Sequence, residues 1–170
     1  TFDGLNSYYI SRAVREAGLT VALAGTGGDE LFGGYPTFAV VPALQRWARR
    51  TAMVPEFARL AGARLASRVL AGSGRATPPQ TRWAKLPDMT RAGDDLLALY
   101  QLAYALFLPA FQDDLLDGPI GDGLQHGLPV ELARQVEDEI AGRSAVAAVA
   151  TLEQRLFLGE RLLRDTDAAS

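Results

Sequence analysis

Five glycines fall within ten residues of the stretch VALAGTGGDELFGGYPTF, Val21 to Phe38: Gly25, Gly27, Gly28, Gly33 and Gly34, with Asp29-Glu30 among them. A loop that only reverses the chain needs one or two glycines. Without Cβ atoms, a backbone can turn several N–H groups toward one anion, and a helix start just behind adds partial positive charge. Carboxylates in the same place have a second use, because Mg²⁺ takes oxygen ligands and bridges to substrate phosphates. Gly25, Gly27 and Gly28 therefore suit an anion cradle, and Asp29 or Glu30 suits a metal. The plainer reading is a tight turn in which Asp29 and Glu30 satisfy first-turn N–H groups; spacing alone leaves both open. Two familiar phosphate loops are excluded. No Gly-Lys-Ser/Thr follows the glycines, and the sixth position counted from Gly25 is Glu30, where the dinucleotide fingerprint needs glycine.

The elements that must position this loop are mostly helices. Asn6 or Ser7 can cap a first helix, whose apolar residues Tyr8, Ile10, Ala13, Val14 and Ala17 recur at helical spacing until Gly18. Thr20 to Ala24 is a short apolar run ending in glycine, which predicts a buried parallel strand. Helix, turn, strand and glycine loop make half of a βαβ unit. Further helices are expected over Pro42 to Arg50, Pro55 to Ala71, Asp94 to Phe107, Pro109 to Leu116, Pro129 to Ala141 and Ser144 to Leu163. The segments from Gly72 to Pro79 and from Asp117 to Gly127 read as loops. The fold expectation is a predominantly α-helical segment with one short parallel strand at about 20–24. A lone apolar strand seeks a partner, so a homodimer paired through it is one expectation.

The 170 residues are about one domain's worth, and 48% apolar with 22% charged composition is globular rather than disordered. A net charge of −3 gives no general attraction to nucleic acid or an anionic membrane. No cysteine is present, which removes disulfides, thiolate metal sites and thiol nucleophiles and fits a cytoplasmic protein. No apolar run approaches the ~20 residues of a membrane span. His126, the single histidine, has no second His or Cys to join it and reads as an exposed loop residue. Asp113, Asp114 and Asp117 read as a charged helix end. Trp47 and Trp83 with their neighbouring arginines read as amphipathic surface, not a nucleic-acid platform.

Asp3 to Tyr8, the helix after it, and Leu23 to Tyr35 resemble the synthetase domain of the glutamine-dependent asparagine synthetases, whose loop is written L-S-G-x-G-G/S-D-E-L/V-F-G-G-Y. Leu162-Leu163-Arg164-Asp165-Thr166-Asp167 and Ser170 are similar to that family's L-L-R-D-x-D-x-x-S segment. The resemblance implies an α/β parent domain of the ATP-pyrophosphatase, adenine-nucleotide α-hydrolase-like type. Residues 1–170 would be part of it, with an S-G-G-x-D-S ATP loop upstream and a C-terminal part downstream. It implies amide-bond formation in amino-acid biosynthesis: Mg-ATP adenylates an aspartate-like carboxylate, and ammonia from a glutaminase (amidotransferase) domain displaces AMP. Asp29 would hold Mg²⁺ and the pyrophosphate end of ATP, Gly25, Gly27 and Gly28 would line the pocket, Glu30 would support the loop, and Asp167 would lie on the substrate side.

This chain departs from the family at two loop positions. Thr26 stands where well-studied members carry a carboxylate implicated in the ammonia step, and Ala24 stands where the family often has Ser. A threonine hydroxyl is no general base at neutral pH. Thr26 therefore marks either the catalytic position of an ordinary member or a relative that amidates or cyclises a different carboxylate. A non-catalytic helical module that keeps the loop is the other reading. The segment by itself is expected not to turn over ATP.

Overall fold

The computed structural model describes residues 2–70, 83–109, 112 and 123–170. The chain divides into two units: Thr1–Tyr35 with Ala150–Ser170, and Pro36–Val149. Both are helical, as the sequence predicts. The expected loop at 72–79 and most of the helix expected over 109–116 lie outside the described residues.

The larger unit holds the apolar core. Helix α3 (Thr37–Arg50) turns Val41, Pro42, Gln45 and Ala48 inward, and α6 (Leu96–Tyr104) buries five consecutive residues, Leu96 to Tyr100. These two helices pack together, and α5 (Leu86–Ala92) lies between α6 and α4 (Glu56–Leu70). Helix α6 starts at Asp95, whose Oδ1 accepts the Ala98 N–H at 3.0 Å, the N-cap bond that satisfies one orphan donor. The far end of α6 is tied by Lys85, whose Nζ donates to the Ala103 carbonyl at 2.8 Å. Burial pushes the Lys85 ammonium below its usual range. Gln45 Nε2 reaches the Asp94 carbonyl at 3.0 Å and Arg49 pairs with the Asp94 carboxylate at 3.1 Å, joining α3 to the start of α6.

Pro42 was expected to open a helix. Instead α3 begins at Thr37 and carries Pro42 in its interior. The missing N–H costs α3 one backbone bond, and the ring is buried.

A two-residue hairpin occupies the end of the loop expected over 117–127. β1 (Leu124–Gln125) pairs antiparallel with β2 (Leu128–Pro129), Leu124 opposite Pro129 and Gln125 opposite Leu128. His126 and Gly127 make the turn with φ of 52° and 82°, the paired positive values that match strand twist. Helix α7 (Val130–Ile140) follows at once and buries Ala133 and Val136.

The smaller unit is thinner. Helix α1 (Phe2–Glu16) packs on the C-terminal helix α9 (Arg164–Ala169), yet no α1 residue is buried. The chain reaches α9 through α8 (Ala145–Leu152) and an eleven-residue π-helix, π1 (Glu153–Leu163). Such a wide i→i+5 turn is rare and often marks functional sites. At Gly159 a Cβ would stand 3.2 Å from the Gln154 carbonyl oxygen, so the missing side chain makes room for the turn.

The parallel strand expected at Thr20 to Ala24 does not form. These residues take no regular structure and pair with no strand, and Leu23 is 99% exposed. A parallel strand exists only through neighbours, and the one sheet among the described residues is the antiparallel hairpin.

Candidate functional site

The glycine loop turns through Gly27, which caps the short helix α2 (Gly28–Phe32) with φ 96°, a left-handed value that a Cβ would strain. Gly33, with φ 76°, ends α2. Its N–H and that of Gly34 both donate to the Asp29 carbonyl at 2.9 Å. Gly34 is required for a different reason: a Cβ there would run into the Asp29 carboxylate. Gly25 and Gly28 have neither constraint. Their φ values are ordinary, and a Cβ at either would point into open space.

Beneath the loop lie carboxylates in place of aliphatic side chains. Glu30 is 1% exposed and accepts the Tyr35 hydroxyl at 2.9 Å. Glu153, the first residue of π1, is fully buried. Burial, with the hydrogen bond to Glu30 and the charges of Glu30, Asp29 and Glu153, pushes the Tyr35 phenol up to about 12. A phenol held neutral stays a donor to Glu30. The Tyr35 ring meets Phe157 edge-on at 5.4 Å, and the Arg161 guanidinium lies 5.2 Å from the Phe157 centroid. Arg161 in turn donates twice to Asp3 Oδ2, at 3.2 and 3.0 Å. One chain of contacts thus runs from the loop through π1 to α1.

These parts enclose a cavity of about 270 Å³. The loop contributes Gly25, Thr26, Gly27, Asp29 and Glu30, α1 contributes Asp3, Asn6, Ser7 and Ile10, and Tyr35, Leu162 and Thr166 complete the wall. Five residues singled out by sequence are therefore in one place. Gly28 is not on the wall; its N–H donates to the Gly25 carbonyl at 3.1 Å and closes the turn. Asp167 is exposed and does not line the cavity, whereas its neighbour Thr166 does. Sequence reasoning did not single out Asp3, Ser7, Tyr35, Glu153 or Arg161 for the site. Asp3, Ser7 and Tyr35 stand inside the two matching segments, which was a usable signal. Glu153 falls four residues after Val149 on the apolar face of Ser144 to Leu163, so helical spacing was a usable signal for its burial.

The polar side chains on the wall offer only oxygen and amide donors, and Asp3, Asp29 and Glu30 make it acidic. Phosphate would be repelled unless a cation came with it. Hard cations that prefer oxygen ligands and bind alongside phosphates fit that donor set.

The family model for asparagine synthase matches residues 3–170. The chain belongs to the asparagine synthase family. Its members are ATP-dependent amide-forming ligases. Neither the curated proteins nor the solved structures yield a match. The match spans both units and includes every residue lining the 270 Å³ cavity. Among the described residues no helix is long and apolar enough to cross a membrane.

Proposed function

We propose that the loop and its cavity bind the pyrophosphate end of Mg-ATP in a cytoplasmic ligase of amino-acid biosynthesis. The ligase adenylates an aspartate-like carboxylate and passes ammonia from glutamine to it. A substrate carboxylate oxygen attacks the α-phosphorus, the bond to the bridging oxygen breaks, and pyrophosphate leaves. Ammonia then attacks the acyl carbon, and AMP departs as the amide forms. The ammonia comes from a glutaminase domain.

The carrying observation is the division among the loop glycines. Gly27, Gly33 and Gly34 are explained by their own backbone or by Asp29, and Gly28 closes the turn with its N–H on the Gly25 carbonyl; Gly25, on the cavity wall, has no such explanation. Open space where a Cβ would project is what close approach of a ligand to backbone requires. Asp29 is exposed on the cavity wall with Gly25 and Thr26, which supports its reading as the metal ligand. Mg²⁺ there would neutralise charge on the leaving diphosphate. Glu30, held by Tyr35, supports the loop from below. A cavity of about 270 Å³ is below the usual range for whole small-molecule sites, which suits a diphosphate better than a complete nucleotide. Asp167 would act on the substrate side, outside this cavity.

Thr26 lines the cavity where relatives carry a carboxylate. A neutral hydroxyl can orient an incoming amine but cannot take its proton. This favours, as a second reading, a relative that amidates or cyclises another carboxylate.

Pyrophosphate titrated into the chain by calorimetry, with and without Mg²⁺, tests the proposal. Binding that needs Mg²⁺, falls at least tenfold in Asp29→Asn and falls in Gly25→Ala with thermal stability unchanged is the expected result. Equal binding by wild type and Asp29→Asn would overturn it.

A further inference from the structure

The larger unit brings together three side chains that the sequence keeps far apart. His126 sits in the hairpin turn, Asp95 at the N-cap of α6, and Glu137 on α7. A ligand atom from each lies within 4.8 Å of the other two. His126 Nε2 is 3.0 Å from Asp95 Oδ2. Asp95 uses its other oxygen, Oδ1, for the Ala98 N–H, which orients Oδ2 toward the ring. Gln125 Nε2 donates to Glu137 Oε1 at 2.7 Å and orients that carboxylate, the role that outer hydrogen bonds play around metal ligands.

We propose that Asp95, His126 and Glu137 form a binding site for a divalent transition-metal cation, which clips the β1–β2 hairpin to α6 and α7. One imidazole nitrogen with two carboxylates selects zinc-class ions over Mg²⁺ and Ca²⁺, which take oxygen alone. Zinc ligands at 2.0–2.2 Å stand roughly 3.3 Å from one another in a tetrahedron. The His126–Asp95 spacing already matches, and Glu137 has to draw in. The His126 and Asp95 side chains are 29% and 40% exposed, so an ion can enter and a water can complete its shell. A cavity of about 510 Å³ also opens on His126 and Gly127. The competing account is a plain hydrogen bond between His126 and Asp95 that fastens the hairpin without an ion.

The test is titration of the metal-free 170-residue chain with Zn²⁺ by calorimetry, and with Co²⁺ by visible absorption. Asp95→Asn keeps a good N-cap, His126→Asn suits the left-handed turn position, and Glu137→Gln keeps the helix, so each variant isolates the ligand. One equivalent of Zn²⁺ is expected, with a cobalt band that saturates at the same ratio. Affinity should fall at least tenfold in each variant. Asp29→Asn should leave it unchanged, which separates this site from the magnesium loop. Absence of a saturable equivalent, or equal zinc affinity in His126→Asn, would overturn the site and leave the plain hydrogen bond.

Discussion

Helices α1 and α6 show how differently the two units are built. In α6, Leu96 to Tyr100 are all buried, and the unit around it encloses an aliphatic core. In α1 no residue is buried, and Tyr9 and Ile10 stand more than half exposed. Where the smaller unit does bury side chains, two of them are the carboxylates Glu30 and Glu153. One unit has the composition of a stable interior. The other gives interior positions to charge, which is unfavourable unless paired and hydrogen-bonded, and it carries the acidic cavity. Exposed apolar surface of the kind α1 presents commonly marks an interaction face.

Core truncation should separate the units most widely. Leu97 is 1% exposed, and Leu97→Ala should cost about 2–5 kcal/mol through lost burial and a residual cavity. Ile10→Ala on α1 should cost about 0.5 kcal/mol or less, as surface substitutions do. Urea unfolding of both variants checks the contrast, and equal losses would mean that α1 is packed more tightly than its exposure indicates.

Tyr35→Phe comes next. It removes the donor to buried Glu30, and an unsatisfied buried acceptor costs about 1–3 kcal/mol. The pH dependence has a definite sign. The folded phenol titrates near 12, above its ordinary value of 10.0. Its contribution is therefore complete below pH 10 and is lost as pH rises toward 12. Stability of the wild type should fall across that window, and Tyr35→Phe should remove that part of the fall. Tyrosinate absorbance followed alongside urea unfolding measures both.

Most helices, though not α5, were legible because apolar spacing and proline or glycine punctuation report directly on burial in a packed unit. The helices expected from Asp94 and from Ser144 are examples, found as α6 with its N-cap at Asp95 and as α8. The glycine cluster stood out in the sequence, and the structure supplies reasons for part of it: Gly27 and Gly33 take a left-handed φ that glycine adopts without strain, and Gly34 faces the Asp29 carboxylate. The strand expectation at Thr20 to Ala24 misread an apolar run, because such a run reveals hydrophobicity but not whether a neighbour exists to bond it. Glu153 was readable, because it falls four residues after Val149 on the stripe that Ala148 and Leu152 share. The Asp95–His126–Glu137 cluster was not. His126 finds Asp95 and Glu137 only once the hairpin has closed.

Gly34→Ala and Gly25→Ala divide the loop itself. The new Cβ at Gly34 displaces the Asp29 carboxylate, and about 1 kcal/mol or more should be lost, in the range for overpacking. At Gly25 nothing lies within 4 Å and φ is ordinary, so stability should stay within about 0.5 kcal/mol. Thermal melts of the two variants decide the matter. A large loss in Gly25→Ala would turn that residue into a structural glycine and remove the main support for ligand approach.

The smallest contrast is between ion pairs. Arg161–Asp3 in the smaller unit and Arg49–Asp94 in the larger one each join separate helical segments. Both are surface pairs, where a double-mutant cycle commonly returns about 0.2–1 kcal/mol. Arg161 should lie near the upper end. It makes two N–H bonds to one carboxylate oxygen, its guanidinium is fixed over Phe157, and Asp3 is 34% exposed against 59% for Asp94. Ordering a side chain costs less when an aromatic face already holds it. Alanine cycles at low and high salt should therefore give a larger coupling for Arg161–Asp3, and one that salt screens less. Equal couplings that vanish together in salt would show that the Phe157 contact does not restrain Arg161 in solution. The smaller unit would then rely on the packing of α1 against α9, the Tyr35–Phe157 contact and the Tyr35–Glu30 bond.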